Sequence, residues 1–124
     1  MLSRKSLLVV DDERDRLDCV AEVLSPHFQL TLVRTGSEAL RRLRQCHFDA
    51  VVLDLKMDGE DGFDVLQYLL QQQPDTRVLI ASGLPRLDLI AERYGAIDWL
   101  AKPYHIDALE ERVARLLGEA TGPL

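Results

Sequence analysis

The chain lacks most of the features that announce a function outright. It has two cysteines in 124 residues, Cys19 and Cys46. They form no C-x-x-C pair and have no histidine at ligand spacing, which argues against a zinc site. Both are read as small buried residues on helices. Neither G-x-G-x-x-G nor a P-loop occurs, so the usual nucleotide cradles are excluded. No apolar stretch approaches the length of a bilayer, and residues 1–6 lack the apolar run of a signal peptide, so a cytoplasmic chain is expected. Basic residues are outnumbered, 15 Lys and Arg against 21 Asp and Glu, for a net charge of −6. That balance disfavours nucleic-acid binding through a basic surface. There is no internal repeat and no low-complexity segment.

What is present suffices for one soluble domain. The composition is 47% hydrophobic and 29% charged, enough apolar material for a core. The run Phe48-Asp49-Ala50-Val51-Val52-Leu53-Asp54 is the most strand-like stretch. Its consecutive apolar residues imply burial on both faces, as in the middle of a parallel sheet. Leu7-Leu8-Val9-Val10 is a second such run, Val78 to Ala81 a third and Ile97 to Ala101 a fourth. Phe28, Leu30 and Leu32 alternate with polar residues, as in a strand with one face less covered.

Helices fill the intervals. Leu17, Val20, Ala21 and Leu24 share one helical face, and Pro26 closes that helix. Thr35-Gly36-Ser37-Glu38 fits a capping box and opens a helix that turns Ala39, Leu40 and Leu43 inward. Phe63, Leu66, Leu69 and Leu70 mark a third helix, closed before Pro74. Leu87 to Tyr94 is a short fourth, stopped by Gly95. Ile106, Leu109, Val113, Leu116 and Leu117 mark the last, with Gly118 after it. Five strand–helix alternations predict an α/β fold, flavodoxin-like, with a doubly wound parallel sheet in the order 2-1-3-4-5. Residues 1–118 are expected to form the domain and 119–124 a tail or linker stub.

The informative residues stand at the carboxyl ends of the strands, where open α/β sheets bind ligands. The first strand ends in Asp11-Asp12, the third in Asp54, the fourth in Ser82 and the fifth in Lys102. The predicted strand order brings them to one edge. Crowded carboxylates repel unless a cation sits among them. Hard oxygen ligands without histidine or thiolate suit Mg²⁺. A lysine and a serine can neutralise and hydrogen-bond a phosphoryl group, and an aspartate can be the nucleophile that accepts one.

Taken in order, Val9-Val10-Asp11-Asp12-Glu13, Val52 to Met57, Asp61-Gly62, Ser82-Gly83 and Asp98 to Pro103 resemble the receiver domain of bacterial two-component response regulators, over about Leu7 to Leu117. The resemblance implies that Asp54 is the phosphoacceptor and that Lys102 and Ser82 act on the phosphoryl group. It implies Mg²⁺ held by Asp11, Asp12, Asp54 and the backbone carbonyl of Lys56. It also implies a switch through Ser82 and Trp99, read at the surface of helix 4, strand 5 and helix 5, and a cis bond at Lys102-Pro103. The implied partners are a histidine kinase or phosphotransfer protein upstream and a downstream protein or fused effector domain, with a phosphorylation-dependent dimer as one output. Lys56 and Leu84 are expected to flank the water route and to slow self-dephosphorylation.

Three departures from the family pattern stand out. Asp58 takes the place of a common proline, Trp99 replaces the more usual Tyr or Phe, and the segment from Ser82 to Lys102 is short. They motivate an alternative, a receiver-like interaction module that works without phosphorylation. A phosphohydrolase with an aspartate nucleophile fits less well, because Lys56 stands where such enzymes have a second aspartate. Blander roles are available for single residues: Asp12 as a helix N-cap, Ser82 as the partner of a backbone group, Asp61 as a shaper of the loop before Gly62. His27, His47 and His105 are expected to face solvent.

Overall fold

In the computed structural model, residues 4–57 and 60–118 are described, with only the backbone for Glu60 and Asp61. The elements are β1 (Ser6–Val10), α1 (Arg14–Leu24), β2 (Gln29–Val33), α2 (Gly36–Gln45), β3 (Ala50–Leu53), β4 (Lys56–Met57), β5 (Glu60–Asp61), α3 (Gly62–Gln72), β6 (Arg77–Ser82), α4 (Leu87–Tyr94), β7 (Asp98–Ala101) and α5 (Ile106–Leu116). The main sheet is parallel, in the order β2-β1-β3-β6-β7. Counting its own strands alone, that is the predicted 2-1-3-4-5. The remaining pair, β4 and β5, is a two-residue antiparallel ladder within a stretch the sequence marks only as a loop.

The central strands are buried on both faces, and their alternation divides the core. Leu8, Val10, Val51, Leu53 and Ile80 face the layer of α2, α3 and α4. Leu7, Val9, Val52, Leu79 and Ala81 face α1 and α5. An unbroken apolar run is therefore two half-patterns of period two, one for each helical layer.

Local chemistry sets the ends of the elements. Thr35 accepts a hydrogen bond from the Glu38 amide through its hydroxyl at 3.1 Å, opening α2 as expected of a cap. Gly95 (φ 75°) closes α4, and Gly118 (φ 74°) follows α5. At the end of the sheet away from the acidic strand termini, the Asp49 carboxylate accepts from the Ser6 amide at 2.8 Å. That bond holds the Asp49 pKa below its ordinary value against the opposing effect of burial. It also ties the start of β1 to the approach to β3.

Some expectations are corrected. Cys19 and Cys46 are exposed rather than buried. Leu17, Val20 and Leu24 form the buried stripe of α1, and Cys19 falls about 200° around the helix from Leu17. Cys46 lies past the last turn of α2, in extended backbone. Leu70 points outward, 46% exposed, because Leu66 and Leu69 already fill the inner face of α3. The three histidines are exposed, as expected. Asp58 and the tail 119–124 lie outside the described residues.

Candidate functional site

Strand register assembles the site. Val10 of β1 is level with Leu53 of β3, so the next residues, Asp11 and Asp54, come side by side. The ladder runs one bond further at each: the Asp54 amide donates to the Val10 carbonyl at 3.0 Å and the Asp11 amide to the Val33 carbonyl at 3.1 Å. Ser82 is level with Ala101, and the Lys102 amide donates to the Ser82 carbonyl at 2.9 Å. Backbone pairing thus carries Asp11, Asp54, Ser82 and Lys102 to the same edge. The Lys102-Pro103 bond is cis.

The side chains converge as the spacing implies. Asp11, Asp54 and Ser82 are 5%, 4% and 0% exposed. Lys102 Nζ donates to Asp54 Oδ2 at 2.7 Å and to Asp11 Oδ2 at 3.1 Å, bridging the two buried carboxylates. Asp54 Oδ1 accepts from the Lys56 amide at 3.0 Å, which fixes the rotation of the carboxylate. Ser82 Oγ accepts from the Leu84 amide at 3.3 Å, and its own proton remains available to donate. The bland role for Ser82 therefore exists and leaves a second one open. Asp12 is not the cap of α1; the N-cap position is Glu13, whose amide donates to Asp11 Oδ1 at 2.9 Å.

Asp11, Asp12 and Asp54 each offer an oxygen, all within 4.8 Å of one another. Three hard oxygen donors with no histidine or thiolate among them fit a divalent ion of the Mg²⁺ type. Lys56, whose carbonyl would complete that set, directly follows the loop residue Leu55 and has its amide on Asp54.

Gly62 explains the Asp61-Gly62 pair. A Cβ at Gly62 would stand 2.5 Å from the Asp54 carbonyl oxygen and 2.6 Å from Leu55 Cα. Only glycine lets the start of α3 lie against the backbone that carries Asp54.

Trp99, by contrast, is not drawn into the site. It lies on edge strand β7, 40% exposed; Ile97, just before that strand, and Leu89 of α4 are also uncovered, at 61% and 49%. Arg112 of α5 donates to the Trp99 carbonyl at 2.7 Å and to Asp98 Oδ1 at 3.1 Å.

Two site residues escape sequence reasoning. Arg16 NH1 lies 3.3 Å from Asp11 Oδ2 and 3.4 Å from Oδ1, and NH2 lies 3.2 Å from Glu13 Oε2. The Arg16 guanidinium also sits 6.0 Å over the ring of Tyr104. Burial opposes the charge of Arg16, yet its neighbours, Asp11 first, raise its pKa above the ordinary value. The Tyr104 phenol is pushed up to about 12, by burial first and then by Asp11, with Arg16 pulling the other way. The signal for Arg16 is its place in the first turn of α1, where side chains tilt back toward the preceding strand end.

The comparisons with known proteins agree with this geometry. The profile of the response regulator receiver domain matches residues 7–114. The response regulator protein PilR of Pseudomonas aeruginosa is 32% identical over 94% of this chain and 27% of its own length. The sporulation initiation phosphotransferase F of Bacillus subtilis is 29% identical, over 94% of this chain and 96% of its own. Among solved structures, response regulator protein TrrA of Thermotoga maritima, in complex with Mg(2+)-BeF, superposes with a TM-score of 0.79 at 28% identity, covering 91% of this chain and 99% of that one. PilR and two further curated relatives are each matched over only about a quarter of their length. On its strand order, its convergent strand ends and the match across nearly its whole length, the chain belongs to the response regulator receiver domain family.

Proposed function

We propose that the domain, residues 1–118, is a phosphoaccepting switch in which Asp54 takes a phosphoryl group from a histidine kinase, a phosphotransfer protein or a small acyl phosphate. The observation that carries this reading is the bridge of Lys102 Nζ between Asp54 and Asp11 inside a cluster of three carboxylates. A partly buried lysine between two aspartates leaves a nucleophile oriented and a cation ready for phosphoryl oxygens.

An Asp54 carboxylate oxygen attacks phosphorus. The bond from phosphorus to the donor breaks, and its electron pair leaves with the donor. The Lys56 amide holds the carboxylate in one rotation during attack, since it already sits on Oδ1. Mg²⁺, held by Asp11, Asp12, Asp54 and the Lys56 carbonyl, would supply positive charge for the phosphoryl oxygens when bound. The Mg(2+)-BeF complex of the Thermotoga maritima relative supports that part. Lys102 follows the new charge from the carboxylate to a phosphoryl oxygen, and Ser82 donates its free hydroxyl proton to another. Lys56 and Leu84 screen the aspartyl-phosphate from water, which slows its hydrolysis.

Movement of Ser82 is passed to β7 through their shared ladder and alters the α4–β7–α5 face, where Trp99 is exposed. The partner on that face is a downstream protein, a fused effector or a second copy of the domain, in the cytoplasm. A hundredfold preference of the phosphorylated form for one of two states corresponds to about 2.7 kcal/mol. One or two charge-assisted hydrogen bonds are of that size.

Intact-mass analysis after incubation with a small acyl phosphate tests the reading. The expected result is a gain of one phosphoryl group that requires Mg²⁺ and is absent from Asp54→Asn. Equal incorporation in Asp54→Asn would remove Asp54 from its role. No incorporation under any condition would favour the phosphorylation-independent interaction module.

A further inference from the structure

Arg16 is a cation on the Asp11 carboxylate that phosphoryl transfer, as described, does not use; Arg34 donates instead to the Asp12 backbone carbonyl, at 3.1 and 3.3 Å. We infer that Arg16 is a built-in counter-cation that competes with Mg²⁺ for Asp11 and so sets the metal concentration at which the site fills. The inference rests on the phosphoacceptor reading above and adds to it a regulation of metal loading.

The Asp11 carboxylate is already well occupied. A carboxylate offers about four lone-pair sites. Oδ1 of Asp11 accepts from the Glu13 amide at 2.9 Å and meets Arg16 NH1 at 3.4 Å. Oδ2 accepts from Lys102 Nζ at 3.1 Å and meets Arg16 NH1 at 3.3 Å. The residue is therefore surrounded before any ion arrives, and a cation that takes one of its oxygens displaces a donor.

Arg16 is the donor able to leave. The Glu13 amide is backbone, fixed at the N-cap of α1. Lys102 is held more closely by Asp54, at 2.7 Å, and its side chain is 13% exposed. Arg16 makes the longest contacts, and its side chain is 25% exposed. It also has somewhere to stay, since its other nitrogen pairs with Glu13 Oε2 at 3.2 Å and its plane lies over Tyr104. Released from Asp11, the guanidinium keeps an anion and an aromatic face. Two cations, Lys102 and Arg16, thus partly neutralise a cluster of three carboxylates in the absence of metal.

The test is isothermal titration calorimetry of the full chain with MgCl₂, for the wild type, Arg16→Met, Arg16→Gln and Asp12→Asn, each checked for folding by circular dichroism. Met keeps the apolar stem and Gln a polar head; both remove the charge. Either neutral variant that folds should bind Mg²⁺ more tightly than the wild type, on the order of tenfold. Asp12→Asn should bind most weakly. Equal or weaker binding by a folded neutral variant overturns the role of Arg16 while leaving the metal site intact. No binding by any chain overturns the metal reading itself, and the inference with it. A readout on the wild type does not depend on the variants: in NMR, the Arg16 Nε–H signal should move as Mg²⁺ is added, and a stationary signal under saturating metal would count against displacement.

Discussion

Tyr104 stands two residues beyond Lys102, with Arg16 over its ring and the carboxylates of Asp11 and Asp54 close enough to oppose its ionisation. Burial first, and then the charge of Asp11, push its phenol from the ordinary 10.0 up to about 12. The unfolded chain therefore gives up this proton first. Between those two values the unfolded state binds fewer protons than the folded one, so stability must fall as pH rises through the window. Tyr104→Phe should lose that portion of the alkaline decline, and its spectrophotometric titration should lack the late phenolate. Urea denaturation in metal-free buffer across the window measures the first, and an unchanged slope in the variant would contradict it. Most of the site's residues were readable beforehand because a strand end is a fixed address: an acid, serine or lysine directly after a buried apolar run has one edge to occupy. Arg16 and Tyr104 were not, because an arginine on an amphipathic helix and a tyrosine after a proline turn look like ordinary surface until the packing brings them together.

At the scale of elements, the close approach of α3 to the backbone of Asp54 is the sharpest constraint. Gly62→Ala would push a methyl group into the Asp54 carbonyl and Leu55 Cα, both backbone atoms that cannot swing aside. We expect a loss of about 1–3 kcal/mol in stability, the usual range for overpacking, with a matching fall in phosphoryl incorporation because the strand end that aims Asp54 must shift. Chemical denaturation of Gly62→Ala beside wild type checks the first part, and a variant as stable as wild type would show that the loop yields freely. The helices were legible from their period, β2 from its alternation, and the central strands from unbroken apolar runs too short for a helix. The β4–β5 ladder was not, since two residues on each side carry no periodicity. The cysteines were misjudged for a related reason: being small and apolar says nothing about helical phase, and phase puts Cys19 on the outer side of α1.

For the whole molecule, the two-sided core makes the sheet a rigid plate with chemistry at one edge and a less covered flank at β7. Both clusters draw on β1, β3 and β6, so the bodies of these central strands are poor candidates for movement, and a change must start at the strand end, at Ser82. The edge strand β7 pairs on one side only, with β6, and α5 holds it through Arg112. Among the described residues no helix is long and apolar enough to cross a membrane. The exposed apolar residues Leu89, Ile97 and Trp99 lie on α4, just before β7 and on β7, where a change started at Ser82 would emerge. In the proposed switch, charge added at Asp54 is read on that flank, as a shift between two populations. A map of backbone amide shifts, recorded by NMR on the protein with and without a phosphoryl group on Asp54, tests it most directly. Shifts are expected around Asp54, Ser82 and Lys102 that continue through Trp99 into α4 and α5, and none in Asp54→Asn given the same donor. Shifts confined to the strand ends around Asp54, with α4, β7 and α5 unmoved, would contradict it.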